Sequence, residues 1–426
     1  MTGGTRPPAE PSAAGGMMRQ MNNQIYPATA GGASHPDAVQ MPGAAASSPA
    51  GLPGPAHVLD PSAGLEEWLA ARGQPAWRAK AIRRWLFAGR AATFADMTDL
   101  PKELRTALEE RFLIFSTRIA RHVHAEDGTE KLLLELADGQ RIECVLLREH
   151  AREVSDAAGG GRLTVCISSQ VGCGMGCVFC ASGLDGVIRN LTTGEILEQL
   201  LRLQKLLPAE ERLSHIVVMG MGEPLANLDR LMPALATAQH ADGLGISQRR
   251  ITISTVGLPK AIDRLTAENP GYHLAVSLHA AEDALRTRLV PVNKAIGLAE
   301  VMAAADRYWE ASGRRLTFEY VLLGGVNDAP EDAARLVRLL GRRAALVNVI
   351  PYNAVAGLPW REPSKAAQAR FLDVLRAAGV NVQVRRRKGA RIDAACGQLR
   401  RLESASAGPA IPATSPASPG GTRPAE

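Results

Sequence analysis

Strand-like and helix-like segments alternate along this chain from about residue 160 to residue 385. Short apolar runs typical of buried strands are in most cases followed by stretches with helical periodicity, at 193–206, 298–311, 331–340 and 365–378. Such alternation indicates a parallel sheet with helices packed on it, either open or closed into a barrel. The predicted strands are 163–167, 214–219, 250–255, 273–278, 316–323, 346–350 and 381–385.

The segments on either side of this alternating region differ from it in composition. The two ends of the chain are rich in Ala, Gly, Pro and Ser and lack periodicity, which predicts disordered tails. A region with apolar side chains at helical spacing predicts a small helical domain, and two strand-like runs that flank Asp138-Gly139 predict a β-hairpin. The predicted domains are 1–55 (disordered tail), 56–117 (helical accessory domain), 118–158 (β-hairpin connection), 159–385 (alternating region), 386–404 (C-terminal segment) and 405–426 (disordered tail).

Charge and hydropathy limit the class of protein. The 426 residues include 49 Lys and Arg against 43 Asp and Glu, a formal net charge of +6. This mild basic excess is compatible with a polyanionic partner, and equally with a solvated basic surface. The chain has neither an apolar run of about 18 residues nor the apolar core of a signal peptide. We therefore expect a cytoplasmic protein without membrane contact, whose six cysteines do not form a disulfide scaffold.

Three of the cysteines form the motif C-x3-C-x2-C, at Cys173, Cys177 and Cys180. Thiolates at this spacing can each bind a different iron of one cubane cluster, which leaves the fourth iron open to the amine and carboxylate of a small molecule. Radical S-adenosylmethionine (SAM) chemistry requires this arrangement. The alternative of another class is a non-catalytic RNA-binding protein with structural zinc. That site needs a fourth ligand, usually from a second C-x2-C, which the sequence lacks.

A glycine-rich segment, Met219-Gly220-Met221-Gly222-Glu223-Pro224, follows another predicted strand. Its glycines allow the backbone to approach a ligand closely, and Glu223 can accept a hydrogen bond from an ammonium group. Alone, such a segment is also typical of a simple turn. Because it follows the cysteine motif in a β–α series, it predicts a site for the SAM amino group. Both motifs fall at the C-terminal ends of strands, where parallel barrels carry their chemistry.

Three further residues each have two interpretations. Cys166 lies on the strand before the cysteine motif, and Cys396 precedes a glycine near the C-terminus. Each is either a small core residue or a thiolate that acts as nucleophile or methyl carrier. Glu143 lies between Ile142 and Cys144 on a predicted strand, so it is either a solvent-facing residue or a catalytic base. We assign Cys144 a structural role.

Six segments resemble those of the radical SAM RNA methyltransferases that methylate carbon 2 of adenine. The resemblance extends from about residue 60 to residue 402 and excludes the two tails. It implies an α/β fold: a radical SAM partial (β/α) barrel over 159–385, with a small helical N-terminal accessory domain and a C-terminal closing segment that carries Cys396. The six segments are CISSQVGCGMGCVFC, VVMGMGEPL, ITISTVG, AVSLHA, IPYN and IDAACGQL.

The resemblance also implies the cofactors and the residues that bind them. Cys173, Cys177 and Cys180 match the ligands of a [4Fe–4S] cluster, and two SAM molecules are used per turnover. An electron donor such as flavodoxin reduces the cluster. Taken singly, the serines, the histidine and the asparagine among the SAM-binding positions are also typical of strand ends, cores and turns. The implied SAM-binding positions are Gly222, Glu223, Ser254, Ser277, Leu278, His279 and Asn353.

The implied mechanism transfers a methyl group in two steps. One SAM methylates Cys396, and a second SAM yields a deoxyadenosyl radical that takes hydrogen from the S-methyl group. The resulting carbon radical adds to adenine and forms a protein–RNA crosslink. Cys166 resolves this crosslink by forming a disulfide with Cys396, and Glu143 is the proton acceptor. Direct methyl transfer would fail, because the adenine C2–H is neither acidic nor nucleophilic, whereas a carbon radical can add there.

The implied substrates are adenosine 2503 of 23S rRNA and adenosine 37 of tRNA. We expect the enzyme to act as a monomer. Three basic runs, 385–388, 249–250 and 342–343, either bind RNA phosphates or only solubilise the protein. The alternative within the superfamily is an rRNA methyltransferase that acts on adenine carbon 8 and confers antibiotic resistance. It shares the cluster and both catalytic cysteines, so these motifs do not separate the two reactions.

Overall fold

The computed structural model describes residues 55–149, 161–385, 388–389, 392–395 and 397–399. The tails predicted for 1–55 and 405–426 lie outside the described residues apart from Pro55, and so does Cys396. In the part of the chain that is described, no helix combines the length and the apolar character needed to cross a membrane.

The first described region is helical, as its periodicity predicts. Its helices bury Leu69, Ile82 and Leu108 almost completely. Each such side chain contributes roughly 1.5–3 kcal/mol when removed from water. Two very short parallel strands hold the start and the end of the region together. The elements are β1 (Ala56–His57), α1 (Leu65–Ala70), α2 (Trp77–Phe87), α3 (Lys102–Arg111) and β2 (Phe112–Leu113).

Three antiparallel strands follow: β3 (Arg118–His124), β4 (Glu130–Glu135) and β5 (Arg141–Glu149). The hairpin predicted at Asp138-Gly139 is confirmed, with Gly139 at a φ of 78°. Strand β3 was not predicted, because its polar, partly exposed residues do not alternate with apolar ones. Strand β5 pairs with the first strand of the alternating region. The hairpin therefore extends the central sheet and is more than a connection.

Within the described residues the central sheet has ten strands, and the seven predicted from the alternating region are all present and mutually parallel. Their ends differ from the predicted ends by at most two residues. The two edge strands, β3 and the last one, do not pair with each other, so the sheet is a partial barrel. The parallel strands are β6 (Arg162–Cys166), β9 (His215–Val218), β10 (Ile251–Thr255), β11 (His273–Ser277), β12 (Leu316–Leu322), β13 (Ala345–Pro351) and β14 (Asn381–Val384).

Helices connect these strands, including all four that were predicted. The first of them begins with a capping box, in which Thr192 and Glu195 each accept a hydrogen bond from the other's backbone N–H. A separate antiparallel pair, β7 (Gln170–Gly172) and β8 (Val187–Asn190), lies on either side of the cysteine motif. The helices are α4 (Thr193–Gln204), α5 (Leu228–Gln239), α6 (Pro259–Glu268), α7 (Asp283–Leu289), α8 (Leu298–Ser312), α9 (Pro330–Leu340) and α10 (Lys365–Ala377).

The two faces of the sheet differ in polarity. In β10, Ile251 and Ile253 are fully buried in the hydrophobic core, whereas the alternate residues Thr252 and Ser254 are only partly buried. We call the face that carries Thr252 and Ser254 the inner face. Because residues paired across neighbouring strands point to the same side, the inner face can be followed from strand to strand by the register.

Candidate active site

One pocket at the C-terminal ends of the parallel strands brings most of the predicted cofactor residues together. Leu278 is the exception: it is fully buried, and its peptide N–H donates to the carbonyl of Glu319 at 3.0 Å. Leu278 therefore supports the strand end and does not line the pocket. The predicted residues that line the pocket are Cys173, Cys177, Cys180, Gly222, Glu223, Ser254, Ser277, His279 and Asn353.

The three cysteines lie on the loop between β7 and β8. The loop is held at its start by Cys173 N–H, which donates to the Gly186 carbonyl at 2.9 Å. Val178, in its middle, has two contacts with distant parts of the chain. Its N–H donates to the carbonyl of Leu289 at 3.1 Å, and its carbonyl accepts from the indole of Trp360 at 2.7 Å. The loop that carries the thiols is thus anchored from both sides.

The cysteine side chains are suited to a cubane cluster. Within the described ranges, no three His, Cys, Asp or Glu side chains converge as a single metal ion would require. A cubane has no such requirement, because each thiolate binds its own iron. Burial raises the pKa of Cys173 to about 12 and the pKa of Cys177 also rises, so both thiols stay protonated until iron displaces the proton. Soft thiolate donors are those that iron–sulfur clusters use.

The glycine-rich segment forms the pocket wall beside the cluster loop. Gly222 has a φ of 104°, and a Cβ there would approach the Gln170 side chain to 2.6 Å, so only glycine is compatible. Glu223 is buried, and its carboxylate accepts from the N–H groups of Leu225 at 3.1 Å and Val256 at 3.0 Å. Burial raises the pKa of Glu223 to about 7. A cationic ligand in the pocket would favour its ionised form.

His279 is held in a left-handed backbone conformation, with a φ of 60°. Its Nδ1 accepts from the N–H of Val321 at 3.1 Å, and its ring lies edge-on to Phe179 with the centroids 4.8 Å apart. Burial, together with the charge of Arg286, lowers the pKa of His279 to about 3. The imidazole is therefore neutral at physiological pH and joins the end of β11 to the cysteine loop.

Glu143 is buried, so its interpretation as a solvent-facing residue is wrong. Its carboxylate lies 2.8 Å from Nζ of Lys131, a buried lysine that the sequence analysis did not identify. The same Nζ donates to the carbonyl of Asp393 at 3.0 Å, three residues before Cys396. A lysine on a strand is usually solvated, and only the strand register shows that this one lies beside Glu143.

Cys166 is also buried and does not line the pocket itself. The register places Lys131 opposite Val145, and Val145 opposite Cys166. All three side chains are therefore on the inner face. Cys144 alternates with Val145 and is on the other face, within range of the charges of Glu198 and Arg202 on α4.

Cys396 lies outside the described residues, but its described neighbours contact the pocket. Gly397 lines the pocket, and its carbonyl accepts from the N–H of Ala181, next to Cys180, at 2.8 Å. The Leu399 carbonyl accepts from the hydroxyl of Ser182 at 2.8 Å. These contacts attach the C-terminal segment to the cysteine loop.

Arg286 does not line the pocket but contacts residues of its wall, and sequence reasoning missed it. It is fully buried and donates to three strand-end carbonyls, those of Val256 at 2.5 Å, Ser277 at 3.1 Å and Leu278 at 3.2 Å. Burial lowers its pKa to about 10, so it remains charged. Nothing in the sequence distinguishes it from Arg288, two positions later.

The basic runs differ in their surroundings. Arg385 lines the pocket, with Nη1 3.4 Å from Sδ of Met219. Arg343 forms an ion pair with Asp306 at 2.6 Å. Arg249 and Arg250 are exposed. Residues 386 and 387 lie outside the described ranges.

Comparisons with known proteins agree with this geometry. A model of the radical SAM superfamily matches residues 167–337, and a model of the ribosomal RNA large subunit methyltransferase N-terminal domain matches residues 60–114. The probable dual-specificity RNA methyltransferase RlmN of Rhodopirellula baltica is 63% identical over 79% of this chain and 88% of its own length. The probable dual-specificity RNA methyltransferase RlmN 3 of Opitutus terrae is 48% identical over 78% and 90%.

A solved structure is also similar. The crystal structure of a radical SAM methyltransferase from Sphaerobacter thermophilus superposes with a TM-score of 0.77 at 42% identity, covering 82% of this chain and all of that one. Membership in the radical SAM superfamily implies a [4Fe–4S] cluster and SAM, with which the pocket residues are compatible. The chain therefore belongs to the RlmN family of dual-specificity radical SAM RNA methyltransferases.

Proposed function

We propose that this enzyme methylates carbon 2 of adenine, at adenosine 2503 of 23S rRNA and adenosine 37 of tRNA. The observation that carries the proposal is a single pocket lined by the three motif cysteines, Glu223 and Gly397, the chain neighbour of Cys396. The reaction needs a reducible cluster, a bound sulfonium and a methyl-bearing thiol within reach of one another, and these are the residues that would supply all three.

In this proposal Cys173, Cys177 and Cys180 hold the cluster and leave one iron open. Glu223 accepts from the SAM ammonium group, and the other predicted SAM-binding residues on the pocket wall orient the rest of the molecule. When bound, the cluster and two SAM molecules per turnover supply a methyl group and a carbon-centred radical. An electron donor such as flavodoxin delivers the electron.

The protein's own residues then handle the methyl group. Cys396 carries it as a thioether, and the radical formed on that carbon adds to adenine. The adduct would return one electron to the oxidised cluster. Glu143 accepts the proton that leaves carbon 2. Its ion pair with Lys131 supports this role, because the nearby ammonium favours the ionised carboxylate. Cys166, as a thiolate, then attacks the sulfur of Cys396, so the disulfide forms as the sulfur–carbon bond to RNA breaks. The methylene carbon keeps the electron pair of that bond and takes up a proton, which completes the methyl group.

The RNA must present an unstacked base to the pocket, at a cost of roughly a few kcal/mol. Basic side chains compensate through phosphate contacts, and the exposed pair Arg249-Arg250 is one candidate. We further propose that the helical region over 56–117 assists RNA recognition and that the enzyme acts as a monomer in the cytoplasm.

The experiment is an anaerobic assay of the reconstituted enzyme with 23S rRNA fragments and tRNA. We expect 5′-deoxyadenosine and an adenosine methylated at carbon 2, identified by mass and by comparison with synthetic standards. An adenosine methylated at carbon 8 would contradict this proposal and would indicate the alternative rRNA methyltransferase that confers antibiotic resistance. A preparation with iron that forms no 5′-deoxyadenosine would contradict both reactions.

A further inference from the structure

Four polar side chains form a row across the inner face of the sheet. The strand register pairs Ser277 with Glu319, Glu319 with Asn348, and Asn348 with Gln383. Neighbouring strands lie about 4.8 Å apart, so each side chain is adjacent to the next. Ser277, at one end of the row, is an expected SAM-binding position. Ser277 and Glu319, the first two members of the row, line the pocket, and neither the motifs nor the proposed mechanism gives Glu319 a role.

Glu319 is a buried carboxylate in the wall of this pocket, with only 3% of its surface exposed. Its Oε1 accepts from Nδ2 of Asn348 at 3.0 Å. Among the described residues, Oε2 has no hydrogen-bond partner. A buried carboxylate oxygen without a donor is costly and uncommon in native proteins, which indicates that a donor is supplied by something that binds.

The surroundings of Glu319 disfavour its ionised form. Burial raises the pKa of Glu319, although the positive charge of Arg385 opposes this shift. A bound donor would oppose the effect of burial, since it would hydrogen-bond the ionised form. Asn348 holds one oxygen in place, so the carboxylate is already oriented for a ligand that meets the other.

We propose that Glu319 binds an adenosine, accepting a hydrogen bond through Oε2 from a ribose hydroxyl or an exocyclic amino group. The inference rests on the proposed function, in which two adenosines enter this pocket, one as part of SAM and one as the target nucleotide. Both carry the same donors. A carboxylate fits either, because it offers only acceptors to groups that donate.

The test uses holoenzyme with Glu319→Gln, which keeps the size of the side chain but removes its charge. Two quantities are measured: the Kd for SAM, from the change in the electron paramagnetic resonance spectrum of the reduced cluster, and the Kd for an RNA hairpin, from filter binding. Losing a hydrogen bond to a charged group weakens binding by about 10- to 100-fold. We expect this loss in one of the two constants, and the affected constant identifies which adenosine Glu319 binds.

Thr317→Val is the matched control, because Thr317 lies two residues earlier on the same strand and face but does not line the pocket. It should leave both constants unchanged. If the RNA constant responds, an RNA hairpin with purine riboside at the target position removes the exocyclic amino group. Wild type and variant should then bind equally if that group is the donor, and should still differ if the donor is a hydroxyl.

If wild type and Glu319→Gln have equal Kd values for SAM and also for the RNA hairpin, the proposal is overturned. If Glu319→Gln fails to load iron, Glu319→Asp is measured instead, and its shortened carboxylate must weaken the binding of either SAM or RNA, or the proposal fails. The outcome is separable from that of the proposed function. Methylation at carbon 8 would contradict the carbon 2 assignment and leave the two binding constants, and therefore the role of Glu319, unaffected.

Discussion

Cys166 and Cys144 are buried cysteines on neighbouring strands whose side chains point to opposite faces of the sheet. We predict that Cys166→Ala still allows methylation of Cys396 but stalls as protein covalently linked to RNA, because no thiol remains to resolve the crosslink. Gel mobility under denaturing conditions measures the crosslink, and mass analysis of the Cys396 peptide measures its methylation.

Cys144→Ala is the matched control for this experiment. It removes a buried sulfur of the same size from the other face, so it should cost about 1 kcal/mol of stability and accumulate no crosslink. Efficient turnover by Cys166→Ala, or equal crosslink in both variants, would remove Cys166 from the mechanism.

The role of a single residue was predictable from the sequence only where residues close to it along the chain form a recognisable motif. The three motif cysteines and Glu223 were predicted to share a site without knowledge of the fold, because their neighbours along the chain form motifs, and the structure brings all four to one pocket. Arg286 and Lys131 were not predictable, since each acts through groups far away in sequence, such as Val256 for Arg286. The burial of Glu143 was not predictable either, because it depends on the pairing of strands that are distant in sequence.

At the scale of elements, Lys131 on β4 connects β5 to the C-terminal segment through its contacts with Glu143 and Asp393. We predict that Lys131→Met destabilises the protein by up to about 3–5 kcal/mol, because the buried carboxylate of Glu143 loses the ammonium group that lies 2.8 Å away. Urea unfolding measures the loss. The double variant with Glu143→Gln should recover part of it, whereas Lys102→Met, at an exposed position on α3, should change stability by less than about 0.5 kcal/mol.

Glu198 joins α4 to the chain just before β3. It is fully buried, and its two carboxylate oxygens accept from the backbone N–H and hydroxyl of Ser116 and of Thr117, at 2.5–3.0 Å. Burial alone would raise the pKa of Glu198, but His57 and these hydrogen bonds outweigh burial and lower it. The ionised form therefore stabilises the fold above the carboxyl's ordinary pKa, and this contribution is lost as the pH falls through the lowered value.

Glu198→Gln should therefore cost about 3 kcal/mol at neutral pH and progressively less in acid, where the wild-type carboxylate is protonated as well. Thermal unfolding midpoints of both proteins, measured from neutral pH down to the acid limit of solubility, test this. A difference that stays constant over that range would show that the charge of Glu198 is not what stabilises the junction.

The strands and helices themselves were the most predictable elements. Buried parallel strands such as β10 and β13 consist of continuous apolar or alternating runs, so the sequence locates them within two residues. Strand β3 could not be located in this way. It is an edge strand with partly exposed polar residues, and it is identifiable only by its pairing with β4.

At the scale of the whole molecule, the two ends of the parallel strands differ in character. The pocket occupies the C-terminal edge, whereas Arg249, Arg250, Arg314 and Arg315 precede β10 and β12 at the N-terminal edge. The charge of this edge affects His273, which begins the intervening strand β11. Burial lowers the pKa of His273, and the positive charges of Arg314 and Arg315 lower it further. None of the four arginines forms an ion pair with another described residue. Of these four arginines, only Arg249 and Arg250 were predicted as candidates to contact RNA, because the order of the strands in the sheet brings Arg314 and Arg315 to the same edge.

An unneutralised set of arginines at one edge of the sheet is suited to phosphates. We predict that the quadruple change of Arg249, Arg250, Arg314 and Arg315 to Gln weakens RNA binding and lowers the slope of log K against log salt by roughly one for each phosphate that these arginines neutralise. SAM cleavage without RNA should be unchanged, because the five-residue strands β10 and β11 separate the two edges by about 15 Å.

The control for this prediction removes charge where the structure already neutralises it. Arg264 pairs with Asp229 and Glu268, and Arg307 pairs with Asp263, all at exposed positions. Changing Arg264 and Arg307 to Gln should weaken RNA binding little and leave the salt slope near that of wild type, since these guanidinium groups are engaged with carboxylates. If this double variant lowers the slope as much per arginine as the quadruple variant does, then overall charge and not the N-terminal edge of the sheet governs RNA binding.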